Sequence, residues 1–385
     1  MKYLSGLDNL LQDQQLKKLL KDKNIGLVTN HTGLNKDYVL NTELLYNSNK
    51  IKLAAIFGPE HGYWGNERDR ARVSNRRDKK TGLPLYSLYG NHEKPTEEML
   101  SSIDIILYDI QDIGLRYFTY ISTLFYTLEA CAENNVRVIV LDRLNPLGRK
   151  IEGNIPEPGF KCFEGLYPLP IQHGMTVGEL ALWAKNEFLI DVEVDIIKLR
   201  GWHGEMFDNY NLSWIPPSPN IPSFTTALIY PISCLFEGTN MSEGRGTTKP
   251  FEYIGAPWVD PYLVVDRLRD KEFKEVVFRP IKFIPSFSKH QGEECGGIHI
   301  IYRSRKIKSS ISIGLQILQV FLELYYDKIE WIKHDNDHRY FFDLLMGTDA
   351  VRKSLVRGTN TMNIIEKWRK QEAGFGNIRE QYLLY

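Results

Sequence analysis

Leu53-Ala-Ala-Ile-Phe57-Gly58-Pro59-Glu60-His61-Gly62 is an apolar run that stops abruptly in a polar, turn-forming cluster. The chain repeats this pattern. Ile25-Gly-Leu-Val-Thr29 ends in Asn30-His31-Thr32-Gly33. Ile103-Asp-Ile-Ile-Leu-Tyr108 ends in Asp109-Ile-Gln111-Asp112-Ile-Gly114, and Val136-Arg-Val-Ile-Val-Leu141 ends in Asp142-Arg143-Leu-Asn145-Pro146. Short apolar runs of this kind read as strands. Segments with helical spacing lie between them, the clearest being Thr119 to Asn134. The order strand–helix–strand–helix predicts an α/β fold with a parallel, doubly wound sheet. Such sheets bind ligands in the crevice outside the carboxyl ends of their strands. If these runs are neighbours, their polar tips share one crevice with Glu60 near its centre.

Working outward, Leu7 to Lys21 and Tyr38 to Tyr46 have helical spacing. Residues 62–82 form a long polar excursion carrying Arg68, Arg70, Arg72, Arg76 and Arg77, and Leu83 to Tyr89 reads as a further short strand. A Gly- and Pro-rich loop spans 145–174. Helix Thr176 to Phe188 follows, with Thr176 and Glu179 at capping-box spacing, and then a fifth strand over Val192 to Leu199. Pro216, Pro217, Pro219 and Pro222 exclude helix and central strand, so the domain boundary falls just after them. This divides the chain into 1–228 and a smaller α+β domain, 229–385. The latter contains helix Pro261–Asp270, strands 276–284 and 296–303, helix Ile311–Tyr326 and a mixed tail ending at Tyr385.

The 385 residues carry 48 basic and 48 acidic side chains, so no global field draws the chain to nucleic acid or an anionic membrane. No apolar run is long enough to span a bilayer. The N-terminal MKYLSGLDNLLQDQQLKKLL lacks the apolar core and cleavage site of a secretory signal. The expectation is a soluble protein, cytoplasmic as written, or periplasmic or extracellular if a leader has been removed. Cys131, Cys162, Cys234 and Cys295 form no C-x-x-C pair, and nothing requires a disulfide. With 12% aromatic residues the chain can line a carbohydrate or base-binding cleft, although most such rings build core.

Several clusters could carry chemistry. Glycines around Glu60 and His61 permit a tight turn that exposes both at a strand tip. A carboxyl group there, partly desolvated, suits general acid or base work. The plain alternative is a helix cap or a partner for a nearby arginine. Asp109 and Asp112, with Arg116, Tyr117 and Tyr120 beyond, fall short of a convincing metal set even with His31 or His61 added. Capping and an Asp–Arg pair account for them better. Arg143 and Asn145 follow the fourth strand, and an arginine fork suits a carboxylate or phosphate ligand or a structural partner in Asp109 or Asp142. The densest polar run, Glu237-Gly-Thr239-Asn240-Met-Ser242-Glu243-Gly244-Arg245-Gly246-Thr247-Thr248, reads as a recognition loop or a self-bonded Ω-loop. Phosphate-loop, dinucleotide and G-x-S-x-G patterns are absent from the positions that would need them.

Taken in series, these clusters resemble the NamZ-type exo-β-N-acetylmuramidases, formerly the domain of unknown function 1343. The resemblance rests on the tips at Asn30, Glu60, Asp109 and Arg143. It also rests on Thr81-Gly-Leu-Pro-Leu-Tyr86-Ser-Leu-Tyr89-Gly90, Arg116-Tyr-Phe-Thr-Tyr120, His173-Gly-Met-Thr176-Val-Gly-Glu179, Pro216-Pro-Ser-Pro-Asn220 and Glu237 through Thr248. It implies a Rossmann-like N-terminal domain, a smaller C-terminal domain, and a cleft between them. It further implies hydrolysis of the β-1,4 bond after a non-reducing-end N-acetylmuramic acid (MurNAc), with no cofactor and no metal. Glu60 matches the family's leading catalytic carboxylate, and a tyrosine is also implicated, with Tyr89, Tyr117 and Tyr120 as candidates. Tyr63-Trp64 and Tyr117-Phe118 depart from the expected aromatic–Arg pair and ring order. Glycoside cleavage commonly uses two carboxyl groups, and Asp109, Asp112, Glu237 or Glu243 could be the second. Arg143, Arg245 or Arg116 could receive the sugar's lactyl carboxylate. Asn30, His61, Asn145 and Asn240 complete the expected substrate contacts. The rivals are a muropeptide-binding sensor and a metal-dependent hydrolase built on His31, His61, Asp109 and Asp112.

Overall fold

The computed structural model describes residues 3–67, 76–304, 308–334, 338–359 and 361–385. Arg68, Arg70 and Arg72 of the predicted Arg-rich loop lie outside the described residues. Strands β1 (Asn24–Thr29), β2 (Lys52–Gly58), β3 (Arg76–Arg77), β4 (Pro84–Ser87), β5 (Ile105–Asp109), β6 (Arg137–Leu141) and β7 (Val194–Ile197) form one sheet in the order β3-β4-β2-β1-β5-β6-β7. Every pairing is parallel except β3 with β4. The four quoted runs, β2-β1-β5-β6, are therefore adjacent. The order reverses between β1 and β5, the point at which a doubly wound sheet opens its crevice.

The period-2 alternation of a strand sorts the side chains to two faces. Ile25, Leu27, Ile105, Leu107, Ile139 and Leu141 point one way, where they pack with Leu7, Leu10 and Leu45. Leu7 and Leu10 belong to helix α1 (Gly6–Gln12) and Leu45 to α3 (Asn41–Tyr46), and Leu16 of α2 (Gln14–Lys18) packs against them. Val28, Ile106, Tyr108, Val138 and Val140 point the other way into a larger core. That core includes α4 (Glu97–Leu100), α5 (Tyr120–Glu133) and α6 (Val177–Glu187). Helices on both faces explain why these strands are apolar on both sides. Burying one such side chain contributes roughly 1.5–3 kcal/mol.

The expected helix over Leu7–Lys21 is two helices. Asp13 leaves the helical region and its carboxylate accepts from Gln15 and Leu16, so it ends α1 and caps α2. The Thr176–Glu179 capping box forms as its spacing predicts.

After the prolines comes α7 (Phe224–Ser233), then a second sheet. Strands β8 (Tyr253–Ala256), β9 (Val276–Phe283) and β10 (Cys295–Tyr302) pair antiparallel in the order β8-β10-β9. Helices α8 (Pro261–Arg269), α9 (Ser310–Tyr325), α10 (Phe341–Met346), α11 (Ala350–Val356) and α12 (Thr361–Arg379) complete the smaller α+β part. The tail is thus largely helical rather than mixed, and α12 returns to α6, where Phe375 meets Trp183 at 6.1 Å. The four cysteines are free thiols. Among the described residues, no helix is long and apolar enough to cross a membrane.

Candidate active site

The turn after β2 puts two consecutive residues in the left-handed region, His61 at φ 65° and Gly62 at φ 73°. Glycine tolerates that backbone freely, whereas histidine does not, and such strain collects at functional sites. His61 is held there from two sides. Its Nδ1 meets the Glu67 carbonyl at 3.0 Å, and its Nε2 meets Ser218 Oγ at 3.1 Å. The turn thereby aims Glu60 across the sheet toward the start of α5. Glu60 is 9% exposed, and Thr119, the residue preceding α5, donates its hydroxyl to Glu60 Oε2 at 2.5 Å.

Glu60 and His61 line a cleft with Tyr89, Tyr117, Tyr120, Glu237 and Arg245. All of these are candidates from the sequence motifs. Thr119, Glu164, Ser218 and Tyr230 line it too and were not anticipated. The cleft's space, including its open mouth, is about 610 Å³. Its aromatic wall is a set of edge-on contacts: Tyr117 to Tyr230 at 5.5 Å, Phe118 to Tyr120 at 4.8 Å and Tyr230 to Phe251 at 4.4 Å. Rings locked in this way offer rigid faces to a sugar. Tyr120 donates its hydroxyl to the Pro217 carbonyl at 2.6 Å, which ties the proline segment to the wall.

Arg245 brings positive charge to the opposite side. It bonds Glu237 at 2.7 Å and Glu243 at 3.2 Å, and its guanidinium lies 5.0 Å from the Phe251 ring centroid. Lys289 also bonds Glu243 at 2.9 Å. Burial works against the Glu243 charge, but Lys289 and Arg245 hold its carboxyl below the usual range. The recognition loop is therefore an ion-pair cluster with two cations and two carboxylates. Glu243 lies beneath the wall rather than in the cleft. Asn240 is spent on backbone, bonding Lys328 and Glu330.

The remaining tips of the first sheet do not reach the cleft. Asp109 is fully buried, accepting from Arg143 Nε at 2.6 Å and Asn41 at 2.7 Å. Arg143 is thereby turned toward a second groove with Thr32, Gln111, Tyr38 and Trp214. Asn30 accepts from Thr32 in its own turn, and Asn145 bonds Met175 and Leu147. Asp112 accepts from Gly114 N–H at 2.5 Å, and burial pushes its carboxyl up to about 7. Arg116 is 1% exposed and donates to the carbonyls of Asn154, Leu169 and Leu345, a structural staple. His31 meets the Pro216 carbonyl at 2.7 Å, so His31, His61, Asp109 and Asp112 each face a different partner. Among the described residues, no group of three or more His, Cys, Asp or Glu could hold a metal ion. Of the two departures, Tyr63-Trp64 lies outside the cleft, with Tyr63 buried and bonded to Thr42 at 2.6 Å and Trp64 52% exposed, whereas Tyr117-Phe118 lines it.

Comparison with known proteins gives one answer. Residues 25–225 match the family described as exo-β-N-acetylmuramidase NamZ, N-terminal, and residues 228–385 match its C-terminal counterpart. The peptidoglycan β-N-acetylmuramidase NamZ of Bacillus subtilis (strain 168) is 43% identical over 386 residues, covering 100% of this chain and 92% of that protein. Two crystal structures of DUF1343 family proteins from Bacteroides fragilis NCTC 9343 superpose on it. One has a TM-score of 0.91 at 35% identity and the other 0.77 at 32%, each covering 100% of this chain and 99% of its own. A match across both halves of the chain shows that it belongs to the NamZ exo-β-N-acetylmuramidase family.

Proposed function

We propose that this chain is an exo-acting glycoside hydrolase that releases MurNAc from the non-reducing end of peptidoglycan fragments by cutting the β-1,4 bond to N-acetylglucosamine (GlcNAc). The observation that carries this reading is Glu60. A nearly buried carboxyl group is held by the Thr119 hydroxyl on the floor of an aromatic cleft. A carboxyl group there can give its proton to the departing sugar oxygen, the role a general acid plays in glycoside cleavage. The rings of Tyr89, Tyr117, Tyr120 and Tyr230 wall the sugar, and Arg245 is the charge nearest to hand for a lactyl carboxylate. His61 serves as a positioning residue, since both of its ring nitrogens are engaged in holding the turn.

The test is release of free MurNAc from MurNAc–GlcNAc. The parent releases it, and Glu60→Gln does so roughly 10²–10⁴-fold more slowly. Parental speed in Glu60→Gln removes Glu60 from the acid role. Tight disaccharide binding without release by the parent makes the protein a sensor.

A further inference from the structure

The cleft holds a carboxylate that the motifs do not single out. Glu164 sits on the turn Cys162–Gly165, closed by the Gly165 N–H donating to the Cys162 carbonyl at 3.1 Å. The turn is pinned to α5. Ser122 donates to the Phe163 carbonyl at 2.6 Å, and the Phe163 ring stacks on Tyr126 at 6.2 Å and 17°. Phe163 also packs on Tyr89 at 5.7 Å. Glu60 is held by Thr119, immediately before the same helix. One rigid helix therefore sets the position of both carboxylates, as a catalytic pair requires.

The other acidic candidates are committed elsewhere. Asp109 pairs with Arg143, Asp112 closes its own turn, and Glu237 and Glu243 share Arg245. Glu164 differs. Its Oε2 is buried with no hydrogen-bond partner among the described residues; Asp112 Oδ1 is likewise unpartnered, but of the two only Glu164 lies in the wall of the cleft. A buried, unsatisfied acceptor is costly, and the free enzyme tolerates it where a bound molecule will satisfy it. The neighbouring Cys162 thiol stays protonated, pushed up by burial and then by Glu164. Half-buried Glu93 marks how closely the acids gather, since burial and then Glu164 and Glu60 push its carboxyl up.

We infer that Glu164 is the second carboxylate of the glycoside-cleaving pair, acting at the anomeric carbon while Glu60 protonates the leaving oxygen. This rests on the muramidase reading above. As the C1–O4 bond breaks, its electron pair stays on O4, which takes the Glu60 proton. The new bond to C1 forms from water, whose proton passes to Glu164, or from the Glu164 oxygen itself, with water then displacing it. The anomer of the released sugar distinguishes these two routes.

The experiment compares the parent, Glu164→Gln and Glu164→Ala on MurNAc–GlcNAc and on 4-nitrophenyl β-MurNAc, with melting curves for each. Nitrophenolate leaves without protonation, so the aryl substrate relieves a lost acid but not a lost base or nucleophile. The expected result is a fall in kcat of roughly 100-fold or more on both substrates, with azide restoring Glu164→Ala and giving a MurNAc azide. Rescue by azide also proves that the variant is folded. A parental kcat with only KM raised overturns the inference, as does a loss on the disaccharide with the aryl rate intact. In both cases the muramidase reading survives, because the parent still releases MurNAc. A parent that releases none removes both.

Discussion

The Tyr117 ring is 6% exposed and wedged edge-on against Tyr230, yet its hydroxyl has no hydrogen-bond partner among the described residues. Burial pushes that phenol far above its ordinary range, so it remains a neutral donor. A buried hydroxyl without a partner costs about 1–3 kcal/mol. The site retains it in a residue that lines the cleft. Tyr117→Phe should therefore stabilise the free enzyme by about 1 kcal/mol and raise KM for MurNAc–GlcNAc, because the sugar loses a donor. Thermal melting and steady-state kinetics check the two halves. A lower Tm would mean that the hydroxyl is already satisfied in the free enzyme. The neighbouring ring orders its environment in the opposite way: the Tyr120 hydroxyl is bonded to the Pro217 carbonyl and holds the wall together. Two tyrosines three residues apart in one motif thus do different work, which no spacing rule distinguishes.

At the scale of elements, the strands and the capped helices were legible because their signals are local. Alternation sorts Ile105 and Leu107 from Ile106 and Tyr108, and Thr176 with Glu179 starts α6 by its own hydrogen bonds. Glu60 was legible for the same reason, since glycines bracket it at a strand end. The partition of the other polar tips was not legible. Whether Asp109 meets a ligand or Arg143 depends on β5 and β6 lying side by side. Glu164 was missed because its loop has no period and it does not stand at the end of an apolar run, as Glu60 does. Arg116 shows what such loops need in place of a period. Its Nη1 donates to Asn154 and Leu169 at 2.5 and 2.8 Å, and its Nη2 to Leu345 at 2.8 Å, binding both ends of the loop that carries Glu164 to α10. A lysine carries its donors on a single nitrogen and cannot reproduce the two separate nitrogens with which Arg116 meets Asn154 and Leu169 on one side and Leu345 on the other. Arg116→Lys should cost about 2–4 kcal/mol through orphaned carbonyls and lower MurNAc release, with Tm and kcat falling together. Unchanged kcat would separate the loop from the chemistry.

At the scale of the whole molecule, the chain closes on itself. Tyr385, the last residue, donates its hydroxyl to Asp142 at 2.6 Å, at the carboxyl end of β6, and the same oxygen accepts from Leu199 N–H at 3.1 Å. Asp142 also accepts from Thr176 and the Gly178 N–H, so one buried carboxylate gathers β6, α6 and the C-terminus. Burial pushes its carboxyl up to about 6, against the hydrogen bonds that favour its charged form. The folded value exceeds the unfolded one, so the fold favours the neutral acid. Its contribution is fully present at low pH and declines as pH rises from about 4 toward about 6. Tyr385→Phe removes a donor that stabilises the charge, which raises the folded value further and prolongs the decline. The variant's deficit should be small near pH 5 and larger near pH 8, where it should reach about 1.5–3 kcal/mol. Melting the parent and variant across that range tests this. A deficit independent of pH would mean that the hydroxyl acts through the Leu199 N–H rather than through Asp142, since the variant keeps the ring that packs on Trp202 at 5.8 Å. The predicted widening instead makes Asp142 the joint through which the C-terminus holds the sheet.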